Sequence, residues 1–259
     1  MKYFIMGEDK RSLELKKFYS KKELLCDSYF DADVIITSIP FTRDNLKVTS
    51  TAYNISDLIT CVKERGKILI SGNIPIKIKD ELDSKNVRYY DLMNIESFVY
   101  KNALATCEGA IYKAIENSKK TLSNSNILIL GFGRIGKLLS NMLKTFNSSI
   151  YVEARKQSDL ALIDALGYKA IDLNYLGDYL DRFDFIFNTV PSQIFDGEKL
   201  SKVNKNVTII DLASLPGGID FDMARKLELN VDLCLSLPSK VTPISSAKYI
   251  LEEVEKIIV

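Results

Sequence analysis

The sequence predicts an α/β protein of two Rossmann-like parallel-sheet domains, joined by a bridging helix, with a carboxyl-terminal helix docking at the junction. Three observations carry this expectation. Short, almost wholly apolar runs alternate with helix-length or loop-length segments, as expected of strands buried on both faces of a parallel sheet. The run DFIFNTVP at 184–191 aligns without gaps on DVIITSIP at 33–40, so a second half repeats the first. Finally, GFGRIG at 131–136 follows a strand directly and opens a helix.

The elements follow in order. KYFIM from Lys2 reads as a strand, and after Gly7 a charged amphipathic stretch with Leu13, Leu15 and Phe18 suits a helix. Strands are expected at Asp33 to Pro40, at Lys67 to Gly72 after a helix near Ile55 to Glu64, and at Val87 to Tyr90. A helix is expected over Ala105 to Leu122, capped by Thr106, with Glu108 in its first turn. The second series starts with NILIL at Asn126 to Leu130, continues through a helix at Ile135 to Phe146, and has strands at Ile150 to Glu153, Asp184 to Pro191 and Val207 to Ser214. Thr242 and Pro243 start a last helix whose stripe of Ala247, Ile250, Leu251, Val254, Ile257 and Ile258 must dock. The expected domains are therefore 1–103, a linking helix at 104–122, a dinucleotide-binding domain at 123–240 and the terminal helix at 241–259.

Composition narrows the function classes. The 259 residues carry 35 Lys+Arg against 34 Asp+Glu, a net charge of +1, so no global field favours nucleic acid or an anionic membrane. No apolar run approaches the roughly 20 residues of a membrane span, and the charged start MKYFIMGEDK argues against a signal peptide, so a cytoplasmic protein is expected. The four cysteines Cys26, Cys61, Cys107 and Cys234 lack the paired spacing of a zinc site, and no metal is expected. The histidine count is zero, which removes every mechanism that relies on a histidine base, ligand or triad.

The glycine motif defines a cofactor site. Gly131 permits the tight turn, Gly133 lets backbone approach a pyrophosphate, and Gly136 allows close packing of helix on strand; Phe132, Arg134 and Ile135 complete the segment. The free amides at the start of the following helix would receive the phosphates. In YVEARK, Ala154 takes the place of the acid that would bind the ribose of NAD, and Arg155 and Lys156 follow, which favours the 2′-phosphate of NADP over NAD. A one-residue shift would instead put Glu153 on the ribose. The strand-end loops NTVP, with Thr189, Val190 and Pro191, and DLASLPGG, with Leu212 and Ala213, should pass near the nicotinamide, and TSIP, with Ser38, occupies the matching place in the first domain.

CEGAIYKAIEN, ILILGFGRIGKLLSNMLKTF, VEARK, DFIFNTVPS, IIDLASLPGGIDF and LPSKVTP together resemble the dipicolinate synthase A-subunit family over nearly the whole chain. The resemblance departs at Leu215, where that family has an arginine, and at Leu237 to Lys240. It implies a two-domain NADP-type Rossmann protein that works with a flavoprotein-like B subunit to oxidise a dihydrodipicolinate to dipicolinate. It also implies a setting in the mother cell of a sporulating bacterium. Removing a hydride and a proton from a cyclic dihydropyridine needs only a modest base, because the product is aromatic. Glu108 and Asp211 are the acid–base candidates, each with a structural alternative: first-turn carboxylate and turn organiser. Thr106, Ser214, Gly217, Gly218, Arg43 and Lys240 are the candidates for holding the two carboxylates, and Ser38 is a further substrate-contact candidate. Another NADP-dependent dehydrogenase of a small carboxylic acid, or a non-catalytic NADP-sensing module, stays open. A shikimate-like dehydrogenase would need a lysine–carboxylate pair in the first domain, a role for which Lys67 and Asp91 are a poor match. A homodimer is the expected assembly.

Overall fold

The computed structural model describes residues 1–258. Val259, the last residue of the expected terminal helix, lies outside the described residues. In chain order the elements are β1 (Tyr3–Met6), α1 (Lys10–Lys21), β2 (Val34–Thr37), α2 (Ile55–Glu64), β3 (Ile68–Ser71), α3 (Ile76–Ser84), β4 (Arg88–Asp91) and α4 (Glu96–Asn117). There follow β5 (Asn126–Leu130), α5 (Arg134–Lys144), β6 (Ser149–Ala154), α6 (Gln157–Ala165), β7 (Lys169–Asp172), β8 (Phe185–Asn188) and α7 (Gly197–Lys202). The chain closes with β9 (Thr208–Asp211), α8 (Phe221–Lys226), β10 (Asn230–Leu233), α9 (Leu237–Val241) and α10 (Pro243–Ile258). Two compact units result: Met1–Asn102 with the stretch from Pro238 on, and Ala103–Leu237.

The first unit has a four-stranded parallel sheet in the order β1-β2-β3-β4. Alternation along each strand divides its side chains between two cores. Phe4, Met6, Ile35 and Leu69 pack with Leu58, Ile59 and Val62 of α2 and Ile78 and Leu82 of α3. On the other face Tyr3, Ile5, Val34, Ile36, Ile68 and Ile70 pack with Leu15 and Tyr19 of α1 and with Ala247, Ile250 and Val254 of α10. The terminal helix is thus a layer of this unit. A parallel bridge between Tyr3 and Leu25 places one further residue on the free side of β1. The chain therefore leaves β1 to one side, through α1 and Leu25, and returns on the other as β2, so the connection reverses between β1 and β2.

The second unit has a six-stranded parallel sheet in the order β10-β9-β8-β5-β6-β7, the Rossmann order. Its reversal lies between β5 and β8. The two units share a local rule at their first strands: Asp33 Oδ2 accepts the Lys2 amide at 2.7 Å, and Asp184 Oδ2 accepts the Asn126 amide at 3.0 Å. Each aspartate ties the start of its strand to the first strand of its sheet.

Three readings of the sequence need correction. The linking helix begins at Glu96, not near Ala105, because Phe98, Val99 and Ala103 continue the helical period upstream without a breaking residue. Thr106 is consequently no cap, and Glu108 is an exposed mid-helix residue, not a first-turn carboxylate. The short strands β7 and β10 and the helices α3, α6, α7 and α8 add to the elements expected.

Candidate dinucleotide site

The glycine turn of the second unit is shaped by what a side chain would collide with. Gly131 has φ +89°, a backbone state that favours glycine, and a Cβ there would lie 2.7 Å from Val190 Cγ2 and 2.8 Å from Thr189 Oγ1. A Cβ on Gly136 would run into the Gly131 carbonyl oxygen, so helix α5 can sit this close to β5 only with glycine at 136. Gly133 differs: it is exposed, nothing surrounds its missing Cβ within 4 Å, and it is the N-cap of α5 without any side-chain cap. No side chain caps the first turn of this eleven-residue helix, whose positive end faces outward there. This cradle fits a dinucleotide pyrophosphate.

The flanking segments are ordered by short bonds. Thr189 Oγ1 donates to the Leu130 carbonyl at 2.8 Å, which holds the loop after β8 against the turn. Asn188 Nδ2 donates to Asp211 Oδ1 at 2.8 Å and to the Val190 carbonyl at 3.1 Å. Asp211 also accepts the amides of Ala213 at 3.0 Å and Gly218 at 2.9 Å, and is 0% exposed. This carboxylate ties the loop after β9 to the end of β8. The structure therefore gives Asp211 the turn-organising place. Pro191, Ser192, Pro216, Gly217 and Phe221 line a pocket of about 380 Å³ beside these loops.

At the end of β6, Ala154 is the last strand residue, and Arg155 and Lys156 follow it, both exposed. Glu153 is 2% exposed, and its Oε2 accepts the Gly131 amide at 3.1 Å. Burial pushes its carboxyl above the ordinary range, against the opposing pull of that amide and of Arg155. Sequence reasoning did not find this bond, which joins residues 22 apart.

The structure distributes the remaining sequence candidates between the units. Ser38, Arg43 and Lys240 belong to the first, the latter two exposed; Thr106, Ser214, Gly217 and Gly218 belong to the second, with Ser214 exposed and its carbonyl accepting the Gly217 amide at 2.8 Å. Cys107 is buried, and burial pushes its thiol up to about 12, which suits a packed thiol and not a nucleophile. Lys67 and Asp91 do not form a pair: Lys67 holds the carbonyls of Phe30 and Ala32, and Asp91 pairs with Lys79 at 2.7 Å. Among the described residues no cluster suits a metal ion, and no helix is long and apolar enough to cross a membrane.

Comparison with known proteins agrees with this geometry. Residues 99–214 match the family model "D-isomer specific 2-hydroxyacid dehydrogenase, NAD binding domain". The chain is 31% identical over 157 residues to the A subunit of dipicolinate synthase from Bacillus subtilis, covering 61% of this chain and 53% of that protein. It thus spans about half the length of this curated relative. The crystal structure of the A subunit of dipicolinate synthase from Bacillus halodurans superposes with a TM-score of 0.86 at 22% identity, over 99% of this chain and 97% of that one. D-2-hydroxyisocaproate dehydrogenase superposes with a TM-score of 0.62 at 12% identity, over 100% and 96%. The second unit is a nicotinamide-dinucleotide-binding domain of the oxidoreductase type.

Proposed function

We propose that the protein is the A subunit of a dipicolinate synthase, oxidising a dihydrodipicolinate to pyridine-2,6-dicarboxylate with NADP as hydride acceptor during endospore formation. The observation that carries this reading is the likeness to the A subunit of dipicolinate synthase in sequence and fold, joined to an uncapped helix end behind a close-packed glycine turn. The absence of histidine from the chain supports it further, because a hydroxy-acid dehydrogenase with a histidine base is not available here.

A bound nicotinamide would supply the acceptor for one hydride, and the accompanying proton would leave to water. Aromatisation of the ring makes a strong base unnecessary. The chain's own tasks are to seat the pyrophosphate on the α5 amides, to fix the loops after β8 and β9 through Asn188 and Asp211, and to hold the acid's carboxylates. Arg155 and Lys156, with Ala154 in place of an acid, support NADP over NAD. A B subunit would complete the activity, as the name of the relative implies.

Calorimetric titration of the purified chain with NADP and with NAD, each with and without dipicolinate, tests this. NADP binding that dipicolinate strengthens is the expected result. Nucleotide binding indifferent to dipicolinate would reject the substrate, and equal affinity for NAD would reject the cofactor assignment.

A further inference from the structure

The first unit holds a polar cluster that the dinucleotide reading does not use, at the carboxyl ends of β1 and β2. This is where its strand connections reverse, and in open α/β sheets ligands bind in the crevice outside such a switch point. Arg11, in the first turn of α1, is 4% exposed. Its side chain makes one hydrogen bond among the described residues, from Nη2 to the Ile39 carbonyl at 3.1 Å, and no carboxylate lies within ion-pair distance. A guanidinium has five N–H donors, and this buried charge has one neutral hydrogen bond and the field of Asp9, which lies beyond ion-pair distance, to offset its desolvation. Ser38 is 2% exposed, and its Oγ has no partner at all among the described residues. That hydroxyl lies 2.7 Å from the point where a Cβ on Gly7 would sit, and the Ser12 hydroxyl crowds the same point.

The one carboxylate nearby is committed elsewhere. Asp9 caps α1: its Oδ1 accepts the amides of Arg11 at 3.0 Å and Ser12 at 3.2 Å and the Ser239 hydroxyl at 2.6 Å, while Oδ2 accepts the Ser12 hydroxyl at 2.9 Å. With the helix end filled, it is the side chains of Arg11 and Ser38 that lack an anionic acceptor. Asp9 also lends the spot a negative charge that disfavours a dianionic phosphate more than a single carboxylate. Glu8, the other acid of the turn, is exposed.

We propose that the Arg11 guanidinium and the Ser38 hydroxyl form the seat for one carboxylate group of a small organic acid substrate. The carboxylate would replace the Ile39 carbonyl as the partner of Arg11, exchanging a neutral bond for a charge-assisted one, and would accept the Ser38 hydroxyl. Ile39 and Pro40, both half-buried, form its rim. This rests on the reading of the chain as an oxidoreductase of a small carboxylic acid and names the residues that recognise the acid.

The test is titration of the full chain with dipicolinate, malonate and inorganic phosphate, with and without saturating NADP, for the wild type, Ser38→Ala and Arg11→Lys. Ser38→Ala is the informative variant, because removing a hydroxyl without a partner leaves the melting temperature unchanged or raises it. The expected result is at least one carboxylate bound by the wild type, about tenfold weaker in Ser38→Ala and weaker still in Arg11→Lys, with NADP affinity unchanged and phosphate not bound. Binding of malonate but not dipicolinate, with the same loss in the variants, would uphold the seat and reject the substrate proposed above. Equal dipicolinate affinity in all three proteins would overturn the seat and leave that substrate standing. A wild type that binds no carboxylate, or a Ser38→Ala variant that melts earlier, would likewise overturn it.

Discussion

The turn after β1 and the turn after β5 occupy the same place in two similar sheets and have been finished in opposite ways. Register makes them comparable: Met6 pairs with Thr37 as Leu130 pairs with Asn188, so Gly7 answers to Gly131 and Ser38 to Thr189. Both glycines press against the hydroxyl of the neighbouring loop. In the second unit the hydroxyl is satisfied, from Thr189 to the Leu130 carbonyl, and the helix end is open at Gly133. In the first the hydroxyl of Ser38 is unsatisfied and the helix end is closed by Asp9. One frame, finished with a glycine cap, is receptive to phosphates; finished with an aspartate cap, it repels them and relies on side chains for any anion it takes.

The strongest way to break this comparison is at the glycine with no counterpart in the first unit, where Ser12 stands in the place of Gly136. Gly136→Ala puts a Cβ onto the backbone oxygen of Gly131, which cannot rotate away. The expected loss is about 1–3 kcal/mol of stability in a denaturant titration, the usual cost of overpacking, together with nucleotide binding. Gly7→Ala meets mainly serine side chains, so its stability loss should be the smaller of the two. A Gly136→Ala protein that binds NADP normally would remove the glycine turn from the site.

How much of this was legible in the sequence follows from the range of each interaction. The strands around NILIL and DFIFN and the turn GFGRIG were legible because apolar runs and glycine spacing are local signals. The aligned DVIITSIP and DFIFNTVP segments are indeed matching strands beside the first strand of each sheet. The edge strands β7 and β10, KAID and NVDL, were missed because an edge is only half covered and tolerates polar residues. Arg11 was missed because KRSLELKK reads as a solvated helix face, and its partner Ile39 lies 28 residues away. Asp211 was placed in the right loop, but the bond that ties that loop to β8 comes from Asn188, 23 residues away in sequence.

A substitution that converts one turn into the other sharpens the comparison. Gly133→Asp gives α5 the cap that Asp9 gives α1, at a position with φ −79° and open space around the new Cβ. It should stabilise the protein by about a few tenths of a kcal/mol and weaken NADP by about a hundredfold, through like-charge repulsion and occupied amides. Gly133→Asn, a neutral cap, should keep the gain in stability with a smaller loss of affinity. Equal losses in both variants would mean that sterics, not charge, govern this end of the helix.

Cofactor choice is a smaller effect. Arg155→Ala should weaken NADP by about tenfold, the worth of a charge-assisted contact to a phosphate, and leave NAD within about twofold. Parallel losses for the two nucleotides would deny Arg155 the 2′-phosphate.

The smallest expected effect separates the two turns by pH. Burial works against the charge of Asp9, but the bonds from Ser239 and Ser12 and the nearby Arg11 outweigh it, so its carboxyl sits below the ordinary value of 3.8. A group depressed in the folded state contributes stability that is present above its unfolded value and is lost as pH falls towards its folded one. Glu153 has the opposite sign: burial holds it above its ordinary 4.5, so ionising it on the acid side of neutrality costs the folded protein stability. The gap between wild type and Asp9→Asn should therefore close as pH drops below about 4. The wild type should lose ground to Glu153→Gln as pH rises from that range. Urea midpoints at intervals between about pH 2 and pH 7 measure both slopes, and curves parallel to the wild type in both variants would mean that neither carboxylate is tuned by its turn.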